Sequence, residues 1–137
     1  MNTHRETAVH HTLVRDVMSK PVLTIEVTES LWDAWQLLFV SGLRHLVVLD
    51  QDGSCMGVLS DRNILADAPL TPEHLQGRRV QESMSRAPLL QVGPSDVPQT
   101  AAALMFANSV EAVPVIDDLG RLVGIVTESD LVRWLVQ

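Results

Sequence analysis

Apolar positions in this chain switch between a helical and a strand spacing, and the switches predict the elements. Leu31, Ala34, Trp35, Leu38 and Phe39 fall at i, i+3, i+4, i+7 and i+8, the stripe of one helix face. Ser30, with Asp33 three residues on, provides a cap for that helix, and Gly42 provides a left-handed end. The apolar run from His45 to Leu49 predicts a strand, Asp50-Gln51-Asp52-Gly53 a turn, and Cys55 to Leu59 the hairpin partner. A second helix is expected from Asp61 to about Asp67. Upstream, Leu13 to Met18 reads as a short amphipathic turn. Pro21 then forces an extended neighbour, and Val22 to Val27 follows as a strand.

The same order then recurs. Ala68 to Arg79 carries Pro69, Pro72 and Gly77 and reads as a connector, with one helical turn expected near Glu73 to Gln76. Beyond it, Val80 to Met84 echoes Val14 to Met18, a helix is expected from Asp96 to Asn108, and Val113 to Ile116 pairs with Leu122 to Val126 across Asp117-Asp118-Leu119-Gly120. At a constant offset of 67, Pro21/Pro88, Ala34/Ala101, Leu37/Leu104, Phe39/Phe106, Val48/Val115, Asp50/Asp117, Gly53/Gly120 and Gly57/Gly124 are identical. Those eight ungapped matches compare with roughly three from average residue usage, so the chain is an internal duplication. The expected layout is a tail at 1–12, repeat one at 13–67, a connector at 68–79 and repeat two at 80–137. Units this small cannot each bury a sheet, so two β-α-β-β-α repeats are expected to pack with pseudo-twofold symmetry into one α/β module.

Composition narrows the classes of function. Of 137 residues, 46% are apolar and 20% charged, which suits a folded domain. Ten basic against seventeen acidic residues give a net charge of −7, which argues against non-specific nucleic-acid binding. With three Trp, two Phe and no Tyr there is no stacking platform for single strands. No apolar run is long enough to cross a bilayer, and the polar, His-containing N-terminus lacks the form of a signal peptide. The single cysteine, Cys55, is expected to be a buried, inert thiol in a reducing cytoplasm. The adjacent His10 and His11 make a poor metal pair, because neighbouring side chains on a helix diverge. No Cys/His pair, Gly-rich phosphate loop or His-x-x-x-His spacing is present, so neither catalysis nor a metal site is expected.

The candidate chemistry sits where each repeat's last strand meets its last helix: Gly57-Val58-Leu59-Ser60-Asp61-Arg62-Asn63 and Gly124-Ile125-Val126-Thr127-Glu128-Ser129-Asp130. Taken alone, Thr127 reads as a helix cap, with Asp130 favoured by the helix dipole. Free N–H groups beside a hydroxyl and a carboxylate also make a small polar pocket.

With both copies in view, the chain from about Leu13 to Val136 resembles a tandem pair of cystathionine-β-synthase (CBS) domains. The resemblance rests on Asp16-Val17-Met18-Ser19-Lys20-Pro21 with Glu82-Ser83-Met84-Ser85, on the apolar strands ending in Asp50 and Asp117, and on the two closing phrases. It implies two β-α-β-β-α units, adenosine nucleotides bound in clefts between them, a regulatory role and a homodimer. It assigns the ribose to Thr127 and Asp130, since a carboxylate can accept from both hydroxyls of a diol. It places Leu43, Arg44 and His45 at the same cleft, Arg44 toward phosphate, with Val22 and Leu23 as apolar walls for the base. The sister cleft would use Ser60, Asn63 and Val110. There Asn63 lacks the charge and Glu111 would repel phosphate, so it is expected to be degenerate. AMP, ADP or ATP is the expected regulatory ligand, with no cofactor required and an unidentified regulated protein as partner. NAD, S-adenosylmethionine or a ligand-free dimerisation module are the alternatives. Trp32 and Trp134 are expected at the dimer surface.

Overall fold

The computed structural model describes residues 11–67, 69–84 and 90–137. The echo of Pro88 with Pro21 and the pairing of His10 with His11 involve residues outside that set. The chain forms two compact units, Pro21–Leu90 and Met1–Lys20 with Gln91–Gln137.

In the Pro21–Leu90 unit, strand β1 (Thr24–Glu26) runs parallel to β2 (His45–Leu49), and β2 pairs antiparallel with β3 (Cys55–Ser60), in the order β1-β2-β3. Helix α1 (Val14–Val17) precedes this unit in the chain, and α2 (Leu31–Ser41) connects β1 to β2. Ser30 Oγ accepts from Asp33 N at 3.0 Å at the start of α2. Gly42 closes its end at φ 74°, donating to Leu38 O. Leu31, Ala34 and Leu38 are buried with Leu46, Val48 and Leu59 in one core, onto which Trp32 and Trp35 pack half-buried. Phe39 departs from the stripe and is 80% exposed. At about 100° per residue it lies some 80° around the helix from Leu31, beyond the face that meets the sheet. After β3 come α3 (Asp61–Leu65), α4 (Pro72–Gln76, capped by Thr71) and α5 (Val80–Ser83). Of these three, α4 lies in the connector, where one helical turn is expected near Glu73 to Gln76. Asp67 gathers it, accepting from Arg78 Nε at 2.8 Å and Ser83 Oγ at 3.0 Å, with His74 Nε2 at 3.2 Å.

The other unit repeats the plan. Helix α6 (Pro98–Asn108) starts two residues later than the spacing predicts, because Val97 is the cap and Pro98 takes the first turn, where no N–H is needed. Strands β4 (Ala112–Ile116) and β5 (Leu122–Thr127) form a two-stranded sheet, and α7 (Glu128–Leu135) follows. The register obeys the offset of 67 pair by pair: His45↔Ser60 becomes Ala112↔Thr127, and the irregularity at Val48/Leu49 becomes one at Val115/Ile116. The counterpart of β1 shrinks to one parallel bridge, Val92↔Val115, where repeat one has Ile25↔Val48. The leading helices are exchanged between the repeats. Val14 N donates to Asp96 O at 2.7 Å, while Val80 N donates to Glu29 O at 2.8 Å. Each repeat thus begins on the turn that precedes the other's long helix, so compact units and sequence repeats differ at their starts. Val14 is fully buried as α1 packs on α6, α7 and β5, a burial of roughly 1.5–3 kcal/mol.

Candidate functional site

At the end of β5 the chain leaves the sheet at Thr127 (φ −112°) and enters α7. Extended backbone here points Thr127 Oγ1 at the free amides of the first turn, and it accepts from Asp130 N at 3.2 Å. Asp130 answers: its Oδ2 accepts from Thr127 N at 2.9 Å and from Thr127 Oγ1 at 3.1 Å. This is a reciprocal capping box, with the shorter Asp in the place of the usual Glu. The carboxylate is almost wholly buried, 1% exposed in its side chain, and burial of a charge demands donors. They come from two further residues. Ser19 Oγ donates to Oδ1 at 2.7 Å, and Arg133 Nη1 donates to the same oxygen at 3.0 Å. Ser19 is fixed by a backbone pair with Ile125 on β5. Met18, beside it, lies over Gly124, where an added Cβ would run into Sδ and come within 2.9 Å of Cγ. The glycine of the closing phrase therefore lets the segment carrying Ser19 approach β5.

The sister junction has the same backbone with less charge. Ser60 Oγ accepts from Asn63 N at 3.1 Å, and Asn63 Oδ1 accepts from Ser60 N at 2.8 Å. Asp61 N donates to Arg44 O, as Glu128 N donates to Glu111 O at the other junction, both at 3.0 Å. Arg44, 60% exposed, lies beside Asp61, Nε to Oδ2 at 3.3 Å. His45 opens β2 opposite Ser60, and Leu43, just before it, is exposed. Leu23 packs half-buried on the core of its unit and its carbonyl accepts from Val47 N; Val22 is half-buried. Thr127, Asp130 and half-buried Val110 belong to one compact unit. Arg44, His45, Leu43, Leu23, Val22, Ser60 and Asn63 belong to the other.

The sequence reading missed Ser19 and Arg133. Arg133 follows Asp130 by three residues, a spacing that puts both on one helix face. Ser19 stands 111 residues before its partner, and nothing local marks it. Cys55 is half-buried rather than buried, with its thiol pushed up by burial and partly eased by the Gly57 amide. Among the described residues no group of His, Cys, Asp and Glu could hold a metal ion, and no helix is long and apolar enough to cross a membrane.

The CBS domain family pattern matches residues 14–68 and 80–137. A CBS domain-containing protein of Dictyostelium discoideum is 34% identical over 134 residues, 91% of this chain and 92% of that protein. An L-aspartate semialdehyde sulfurtransferase of Methanocaldococcus jannaschii is 32% identical over 125 residues, 89% of this chain but 23% of that longer enzyme. Among solved structures, a CBS domain protein of unknown function from Thermoplasma acidophilum superimposes with a TM-score of 0.80 at 30% identity, over 91% of this chain and 70% of that one. A CBS domain pair in complex with 5′-methylthioadenosine and S-adenosyl-L-methionine superimposes with a TM-score of 0.78 at 28% identity, over 93% of this chain and 98% of that one.

Proposed function

This chain belongs to the CBS domain family, and on that premise we propose that it is a non-catalytic regulatory module that binds an adenosine-containing small molecule. The ribose sits on Asp130 and Thr127, Arg44 serves the phosphate of a nucleotide with His45 assisting and Leu43 beside them, and Val22 and Leu23 wall the base. The observation that carries this reading is Asp130, a nearly buried carboxylate at a strand-to-helix junction whose sister position is a neutral Asn63. A cap alone needs no charge there, since Asn63 makes the same backbone contact. The complex of a related CBS pair with 5′-methylthioadenosine and S-adenosyl-L-methionine supports an adenosyl ligand. AMP or ATP is the nucleotide reading, and both carry the same ribose 2′,3′-diol as the two adenosyl ligands of that complex. Ser60, Asn63 and Val110 form the weaker, degenerate site.

Binding acts on a partner protein through the differential affinity of the ligand for two conformations. Calorimetry with AMP, ADP, ATP and S-adenosylmethionine on wild type and Asp130→Asn tests the site. The variant is expected to lose tenfold or more in affinity, because a hydrogen bond to a charged group contributes about 1.5–3 kcal/mol. Equal affinity in the two proteins would remove the ribose assignment.

A homodimer is the companion proposal, favoured by apolar surface on one unit. A groove of about 710 Å³ lies between α6 and α7, lined by Met105, Phe106, Leu131, Val132 and Leu135, among others. Phe106 is 90% exposed, matched in the other repeat by Phe39. Trp134, like Trp32, is half-buried, so the exposed phenylalanines are the stronger anchors for a second copy. Light scattering of Phe106→Glu is expected to show a halved mass relative to wild type, and an unchanged mass would sink the dimer at this face.

A further inference from the structure

The carboxylate of Asp130 has no acceptor position left for a ligand. An ionised carboxylate offers about four lone-pair positions, and four donors fill them: Thr127 N and Thr127 Oγ1 on Oδ2, Ser19 Oγ and Arg133 Nη1 on Oδ1. The two on Oδ2 are committed to the helix start, because Thr127 N is a first-turn amide and Thr127 Oγ1 also accepts from Asp130 N. The two on Oδ1 belong to side chains that reach in from solvent; Ser19 is exposed, and Arg133 is 61% exposed.

We infer that Ser19 is a built-in competitor: its hydroxyl holds the place of a ribose hydroxyl on Asp130 Oδ1, and an adenosine ligand binds by exchanging with it. Arg133 yields the second position for the other hydroxyl of the diol. This rests on the ribose reading given above. The exchange needs little movement. Ser19 keeps its backbone pair with Ile125, donating to O at 2.8 Å and accepting from N at 3.1 Å, while its side chain turns to another rotamer. Affinity is then set by one donor replacing another, so the strength of the Ser19 contact fixes the ligand concentration at which the module responds. Lys20, the next residue, is the last of this unit before the chain passes into the other at Pro21, which places the exchange at the crossover segment.

The test titrates wild type, Ser19→Ala, Ser19→Thr and Asp130→Asn with adenosine and with AMP by calorimetry, with a melting curve for each protein. Ser19→Ala is expected to bind adenosine about tenfold tighter than wild type, the loss of one charge-assisted competitor, and Ser19→Thr, which keeps the hydroxyl, is expected to match wild type. Should Ser19→Ala fail to fold, Ser19→Cys, a similar size but a weak donor, is expected to shift affinity in the same direction. Unchanged or weaker binding by Ser19→Ala, with wild type binding and Asp130→Asn impaired, overturns the exchange and leaves the ribose site standing. If neither wild type nor Ser19→Ala binds, both readings fall.

Discussion

Asp130 combines two jobs that a sequence presents as alternatives. Its Oδ2 completes the capping box with Thr127, and its Oδ1 takes Ser19 and Arg133. The hydroxyl and carboxylate three residues apart were legible because both roles use the same strand-to-helix junction. Of the two donors on Oδ1, Arg133 has a spacing that marks it, three residues on, while Ser19 comes from another part of the chain and has none. Thr127→Ala is expected to cost about 1 kcal/mol in urea denaturation, the usual loss of a cap hydroxyl, whereas Thr127→Ser should stay close to wild type. Arg44 has Asp61 as its neighbour, and an exposed pair of this kind contributes little. Its proposed role with phosphate is separable from stability. Arg44→Ala is expected to weaken AMP about tenfold while leaving adenosine within twofold of wild type, read by calorimetry. A parallel loss for both ligands would place Arg44 elsewhere than at the phosphate.

At the scale of elements, hairpins and long helices followed from spacing and turn residues, while edges did not. The helix stripe placed Leu31, Ala34 and Leu38 inside, but Phe39 lies at its margin and faces out. Spacing cannot say how wide the buried face of a helix is; the sheet it meets decides that. In the second repeat the counterpart of the first strand is the Val92 bridge. Gly124 is the element-scale feature with the most consequence. It leaves room for Met18, and so for the pairing of Ser19 with Ile125 on β5. Gly124→Ala is expected to destabilise by about 1 kcal/mol, and Gly124→Val by roughly 2–3 kcal/mol, as overpacking does. Because the obstruction is a flexible side chain, Met18→Ala combined with Gly124→Ala should cost less than the two changes summed. Additive costs from chemical denaturation would mean that Met18 is not what Gly124 accommodates.

For the molecule as a whole, the duplication was legible in the identities at one offset, and the strand registers repeat it. The exchange of leading helices was not, because offset alone does not say which copy a segment packs on. That exchange makes the connector important: the chain between α3 and α5 has to return so that Val80 can reach Glu29. Asp67 holds this return, and its carboxyl is kept below the ordinary range, first by the hydrogen bond from Arg78, then by those from His74 and Ser83, against an opposing effect of burial. A carboxyl depressed on folding contributes stability at pH above its unfolded value, near 4, and loses it as the pH falls through that value toward the folded one. Asp117, held low by the amides of Arg121 and Leu119 and by the Arg121 side chain, adds to the same acid limb. Below the isoelectric point near 5.0 acid also builds net positive charge, whose repulsion destabilises in the same direction, so wild type alone is a poor readout. The difference between wild type and Asp67→Asn isolates the clasp. At neutral pH the variant is expected to melt a few degrees lower, and the two melting temperatures should converge once the pH falls below the depressed folded value of Asp67, where both side chains are neutral. A gap that persists unchanged in acid would show that Asp67 acts through packing rather than through its charge.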